Sequence, residues 1–223
     1  MFANFRSLLG LLAAVLITSG AHGAGKTEGT VRVRLVTSSG PIVLELDGRH
    51  APKTTANFMA YVDDGRFDGT TFYRAARRKS MPTRGLIQAG IGTNARRSLP
   101  PVAHEPTSQT GIRHLDMTLS MARGGKPGSA MGNFFITVGP IPSMDAQGDY
   151  AGYAAFGHVV AGTDVVRKIL AMPSGGGEGQ MRGQMILKPV RIIKAERLTG
   201  VAKPTGQPKP WLIELLPKKR PPG

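Results

Sequence analysis

Few of the side chains that usually carry chemistry occur here in a usable pattern. There is no cysteine, which removes thiol catalysis, disulfides and cysteine-ligated zinc. His50, His104, His114 and His158 are scattered, and no pair of histidines flanks a glutamate as a zinc motif requires. Residues 157–163 read GHVVAGT and lack the lysine of a phosphate-binding loop. No Gly-x-Ser-x-Gly elbow occurs. The sequence therefore argues for no metal, nucleotide, other cofactor or covalent nucleophile. Arginines are plentiful, and one of them, Arg74, closes the run Phe67-Asp68-Gly69-Thr70-Thr71-Phe72-Tyr73-Arg74. A guanidinium keeps its charge and holds its donors in a rigid fork. Taken alone, Arg74 reads as a solvent-facing strand residue, one of many arginines.

Its context changes that reading. Upstream stands Ala51-Pro52-Lys53-Thr54-Thr55-Ala56-Asn57-Phe58. Downstream follow Leu119-Ser120-Met121-Ala122-Arg123 and Gly132-Asn133-Phe134-Phe135-Ile136. Next comes Tyr153-Ala154-Ala155-Phe156-Gly157-His158-Val159-Val160, with Gly162 after it. These five segments resemble, in order and at similar spacing, those of the cyclophilin-type peptidyl-prolyl cis-trans isomerases. The likeness runs over about residues 30 to 198, and Tyr153 with the Met-Ala-Arg triplet is similar to the bacterial periplasmic branch.

The resemblance implies an enzyme that accelerates rotation about X-Pro bonds without a cofactor. Amide resonance sets a barrier of roughly 18–20 kcal/mol to that rotation. In the twisted state the prolyl nitrogen gains a lone pair, which a fixed guanidinium can meet. By resemblance Arg74 is the catalytic residue. Leu86, Phe135, Met144 and Tyr153 line an apolar cup for the proline ring, with Phe134 in the core. Gln88 and Asn133 grip the substrate backbone, and Ala122 and Arg123 pair with it in extended form. The implied partners are proline-containing polypeptides, bound by a monomer. The runner-up is the same scaffold as a weakly active or inactive module that holds proline segments.

Three features depart from the family pattern. About six extra residues lie between Arg74 and Gln88, and Gly85 stands where an aromatic wall is expected. Asn133 replaces a glutamine, one methylene shorter, and Ser143 replaces an aromatic. Gly85 and Asn133 favour the runner-up, and Arg74 favours the enzyme. Arg77, Arg78, Lys79 and Arg84, in the stretch with the extra residues, are expected to form a loop that attracts acidic client segments or is merely solvated.

The elements that must position these residues are legible from periodicity. Val31, Val33 and Leu35 alternate with arginines, Ser38-Ser39-Gly40-Pro41 signals a turn, and Ile42, Leu44 and Leu46 alternate again. This predicts a hairpin with one buried face. From His50 the period becomes helical. Pro52 suits a first turn, Thr54, Phe58, Tyr61 and Val62 form one stripe, and Gly65 ends the helix. Short apolar runs follow at 71–75, 86–89, 117–122, 134–138 and 154–160. A second helix is expected over 163–172, a glycine loop at 175–177 and a last strand over about 185–198. Many strands with two inserted helices point to a mainly β fold, a closed antiparallel barrel with helical caps, eight-stranded by the resemblance.

The ends read differently. Arg6, an apolar run from Leu8 to Thr18 and the small residues Ala21 and Gly23 predict an export signal over 1–23, cleaved near Ala24. The run is shorter than the ~20 apolar residues a membrane span needs. This places the mature protein in the periplasm, with no integral membrane span. The isomerase domain is expected over 24–199, and over 200–223 a Pro/Lys-rich tail that is either mobile beyond about Gly200 or docked on the body or on a partner through Trp211, Leu212, Ile213, Leu215 and Leu216. The formal net charge of +15 suits nucleic acid or anionic surfaces. Export disfavours nucleic acid, and the charges are dispersed apart from Arg77-Arg78-Lys79 and Lys218-Lys219-Arg220.

Overall fold

Alternating apolar residues at the start of the chain bury one face and form the first hairpin. Strands β1 (Thr30–Thr37) and β2 (Gly40–Asp47) pair antiparallel, and Val33, Leu35, Ile42, Leu44 and Leu46 are fully buried. This is a computed structural model, and it describes residues 29–215. The leader expected over residues 1–23 lies outside the described residues.

The helix α1 (Pro52–Asp63) follows, with Pro52 at its first turn. Its N-terminus has no cap from its own flank. Glu105 supplies one from a distant loop, accepting from the Lys53 and Thr54 amides at 3.1 and 2.7 Å and from the Thr54 hydroxyl. Gly65, at φ +69°, receives the chain as it leaves the helix. The remaining strands are β3 (Thr71–Arg78), β4 (Met81–Gly90), β5 (Thr118–Met121), β6 (Asn133–Val138), β7 (Ala155–Ala161), β8 (Ser174–Gly175) and β9 (Met185–Arg197). A single turn, α2 (Thr107–Thr110), precedes β5, and α3 (Thr163–Leu170) follows β7.

The sheet runs β1-β2-β7-β5-β6-β4-β3-β9 and closes through the β1–β9 pairing. It is therefore an eight-stranded antiparallel barrel, with the two-residue β8 appended to β9. The helices cover its ends. Inside, Phe58 of α1 meets Phe67, Phe134 and Phe156 with ring centroids 5.0 to 5.3 Å apart, a cluster that ties helix to strands. The strand and helix spans follow the sequence reading closely, with α2 as an addition to the two helices expected.

Of the two courses expected for the tail, mobile or docked through Trp211, its described part takes the docked one. It does not leave the body at Gly200 but lies against the end of α1. The Lys203 amide donates to Asp63 at 2.9 Å and the Thr205 amide to Asp64 at 2.8 Å. Trp211 is buried, with the guanidinium of Arg66 4.6 Å from its ring centroid and that of Arg97 at 5.4 Å. Two cations over one indole, each also bonded to backbone carbonyls, explain why a proline-rich stretch holds one course here. Composition alone cannot show this, because the partners lie more than 100 positions away in sequence. Among the described residues no helix is long and apolar enough to cross a membrane.

Candidate active site

Strand alternation alone would place Phe72 inside the barrel, Tyr73 outside and Arg74 inside. A β-bulge between Phe72 and Arg74 breaks the period. Phe72 stays in the core, and both Tyr73 and Arg74 turn to the outer face. After the bulge the period resumes, with Ala75 buried and Ala76 outside. On the partner strand β4, Ala89 and Ile87 are in the core, while Gln88 and Leu86 face out. Arg74 pairs with Gln88 and Ala76 with Leu86 across the ladder.

The guanidinium of Arg74 is gripped on two sides. Its NH1 donates to Gln88 Oε1 at 2.9 Å, and its Nε donates to Gln184 Oε1 at 2.8 Å. NH2 has no partner among the described residues. Partial burial draws the guanidinium's pKa down, and the nearby phenols of Tyr73 and Tyr153 partly oppose that. Gln88 in turn donates from Nε2 to the Tyr73 hydroxyl at 2.8 Å, and that hydroxyl donates to Asn133 Oδ1 at 3.3 Å. Burial pushes the Tyr73 phenol up to about 12, so it stays a neutral donor.

Beside this network is an apolar cup. Leu86, Phe135 and Ile141 are its buried residues, with Ala76, Ala122, Met144 and Tyr153 packed around them. Phe135 and Tyr153 meet edge to face at 5.5 Å. All four expected cup residues are thus together, and Phe134 is in the core as expected. Ile141 and Ala76 join them, residues the sequence reading missed. The cup's back wall was also missed. His114 stacks on Phe135 at 5.8 Å and is wholly buried. Its Nδ1 lies 2.7 Å from Asp145 Oδ1 and its Nε2 lies 2.9 Å from Ser120 Oγ. Burial lowers the imidazole pKa, and Asp145 partly offsets this. The neutral ring then donates from Nδ1 to the carboxylate and accepts from Ser120. Asp145 also receives the His114 amide and follows Met144 directly, so this histidine fixes the turn that carries the cup's rim.

A groove of about 660 Å³ continues from the network on the other side. Gln88, Ala122, Arg123 and Asn133 line it with Gly92 and Met185. Two expected contacts look different here. The Asn133 amide does not point free into the groove. It clamps Gly92, donating to its carbonyl at 2.9 Å and accepting from its amide at 2.8 Å. A side chain one methylene shorter than glutamine suits that close bridge. The Ala122 amide is committed to the Asn133 carbonyl, which leaves the Ala122 carbonyl for an extended partner. Arg123 lies over the Tyr153 ring at 4.9 Å and donates to the Gly152 carbonyl, so its side chain holds the cup's edge.

Gln184 is the functional candidate the sequence did not reveal. It sits just before β9, in a loop with no periodic signal. Its own carbonyl accepts from the Ala75 amide and its amide donates to Met181, which fixes it beside Arg74.

The stretch with extra residues is not a loop. It prolongs the β3–β4 ladder past the cup as a hairpin arm turning at Lys79 and Ser80. Gly85 lies in that ladder at φ +150°, where a Cβ would sit 2.0 Å from the Ala76 carbonyl oxygen. The aromatic wall is thus excluded by the backbone, and Ser143 on the opposite rim is exposed. Arg77 is not available to clients either. It donates to the Leu170 and Met172 carbonyls at 2.8 and 2.7 Å and caps the end of α3.

Comparison with known proteins agrees with this geometry. The family model for cyclophilin type peptidyl-prolyl cis-trans isomerases matches residues 32–197, from β1 to the end of β9. A peptidyl-prolyl cis-trans isomerase of Streptomyces antibioticus is 36% identical over 174 residues, covering 75% of this chain and 98% of that protein. Peptidyl-prolyl cis-trans isomerase A of Dickeya dadantii is 35% identical over 195 residues, covering 85% of this chain and 98% of that protein. A crystal structure of a Cryptosporidium parvum cyclophilin superposes with a TM-score of 0.60 at 22% identity, over 77% of this chain and 99% of that one. With a barrel, a fixed arginine and an apolar cup in the family's arrangement, the chain belongs to the cyclophilin-type peptidyl-prolyl cis-trans isomerases.

Proposed function

We propose that this chain accelerates cis–trans rotation of X-Pro bonds in exported polypeptides, as a monomer in the periplasm. The observation that carries the catalytic part is Arg74, locked by Gln88 and Gln184 at the edge of an apolar cup. The cup takes the proline ring and excludes water from one side of the bond. Gln88 and the Ala122 carbonyl hold the flanking backbone. As the bond twists, the prolyl nitrogen becomes pyramidal, and the open NH2 end of Arg74 donates to its lone pair. That contact exists only in the twisted state, so it lowers the barrier rather than merely binding the substrate. The donors are already fixed by two amide oxygens, so little reorganisation is needed when the charge develops.

A second reading rests on Gly85. Without an aromatic wall the cup is open on one side, which favours weak turnover or holding of proline segments. A protease-coupled assay on an Ala-Pro peptide separates the two readings. Acceleration over background supports the enzyme. No acceleration by folded protein that still binds the peptide leaves the holding module. The periplasmic part rests on the leader pattern at residues 1–23. It is tested by fractionation and by N-terminal sequencing, with Ala24 as the expected mature start and retained Met1 as the contrary result.

A further inference from the structure

The face of the β3–β4 ladder that carries the active site runs on past the cup, although the register slips between Arg77 and Arg78, where Arg78 pairs with Met81. On β3 the outward residues run Arg74, Ala76, Arg78, and on β4 they run Gln88, Leu86, Arg84. The first pair is the polar network and the second is the cup. The third residues are two arginines of the hairpin arm, which do not pair with each other across the ladder. Both reach the cup's rim. Arg78 NH2 donates to the Pro140 carbonyl at 2.9 Å, and the Arg84 side chain packs within about 3 Å of where a Gly139 Cβ would stand. The next residue in that segment is Ile141, itself part of the cup. Arg78, Lys79 and Arg84 are all exposed. Arg113 and Arg167 flank the same segment, where the acids are Asp116 and Asp145. Asp116 is bonded to the Gly139 amide and to Arg167, and Asp145 to His114. The arm's own cations face no acid among the described residues.

We propose that Arg78 and Arg84 form a specificity subsite for a carboxylate side chain close to the proline. The substrate class is then proline segments flanked by Asp or Glu. Strand residues two apart are separated by about 7 Å, which is two residues of an extended substrate. The acidic residue therefore sits about two positions from the proline, on the side that leaves the cup toward the arm. This charge contact stands where the family pattern has aromatic walls, at Gly85 and Ser143. The inference rests on the reading that the cup takes proline.

The test uses three matched peptides with Glu, Gln or Lys two positions from an Ala-Pro bond, on one side or the other. kcat/KM is measured at about 20 mM and about 1 M salt, since exposed charges are screened over roughly 10 Å at 0.1 M and about 3 Å at 1 M. The expected result is a Glu-over-Lys preference of about tenfold on one side, falling to about twofold in high salt. In an Arg78→Gln, Arg84→Gln double variant the Glu-to-Gln ratio, taken within the variant, falls close to one. Equal rates for all three peptides in the parent, or an unchanged ratio in the double variant, would overturn the subsite. The salt arm needs no variant, so it decides even if the double variant fails to fold. If no peptide is turned over, affinities of the same labelled peptides give the same comparison. A Glu preference in binding without turnover would keep the subsite and sink the enzymatic reading.

Discussion

Arg74 and Gln88 face one another across the β3–β4 ladder and share a hydrogen bond of 2.9 Å, although strict alternation would have put Arg74 in the core. The bulge at Tyr73 makes this possible. Two short polar links then radiate from Gln88, one to Arg74 and one through Tyr73 to Asn133 and the Gly92 segment. The Arg74 guanidinium, proposed as the catalytic cation, and the floor of the groove are therefore one connected unit.

Gln184 completes that unit from outside the ladder. It holds Arg74 Nε at 2.8 Å, which under the proposed function makes it a positioning residue. Gln184→Ala is expected to lower kcat by about three- to tenfold with KM changed less than about twofold, as for a group that acts only in the transition state. A merely structural role would instead show as lost folded protein with kcat per folded molecule unchanged.

Gly85 is expected to resist repair. Adding a side chain meets the Ala76 carbonyl and requires a backbone conformation that L residues rarely adopt. Gly85→Ala should cost about 1–3 kcal/mol of stability, as overpacking does elsewhere. Gly85→Phe should lose stability without gaining affinity for proline peptides. A Gly85→Ala variant with the parent's midpoint in urea would show that the ladder is not held as described.

The cup carries a pH dependence in its back wall. Burial lowers the His114 pKa below its ordinary 6.5, with Asp145 opposing. The unfolded chain therefore binds a proton more readily than the folded one. The neutral-histidine contribution is full above the unfolded value and is lost as pH falls through the folded one. Stability should drop as pH falls below about 6.5. His114→Gln is expected to be less stable at neutral pH but flatter over that window. Identical slopes for parent and variant, read from urea midpoints, would remove His114 from this role.

How much of this was legible beforehand follows the physics of each element. The first hairpin, α1 and the inward phenylalanines obey periods of 2 and 3.6, and the sequence displays them directly. Leu86, Phe135, Met144 and Tyr153 meet at one cup, as the resemblance implied, and two of them, Phe135 and Tyr153, lie within the resembling segments themselves. What escaped was nonlocal. Nothing near Gln184 signals that it bonds a residue 110 positions earlier. His114 has no motif, because its partners are 6 and 31 residues away. That Trp211 could dock on the body was legible, but its seat between Arg66 and Arg97 was not, because it depends on three separate turns of chain. The extra residues looked like a loop because their composition is basic. They extend a ladder because backbone hydrogen bonding accepts any side chain that can point outward.

The most direct test of the account is kcat/KM on an Ala-Pro peptide for the parent and for Arg74→Ala, with folding of both verified by near-UV circular dichroism. The account predicts clear acceleration by the parent and a loss of at least tenfold in the variant, which is about 1.4 kcal/mol of transition-state stabilisation. Equal kcat/KM for two folded proteins would contradict it.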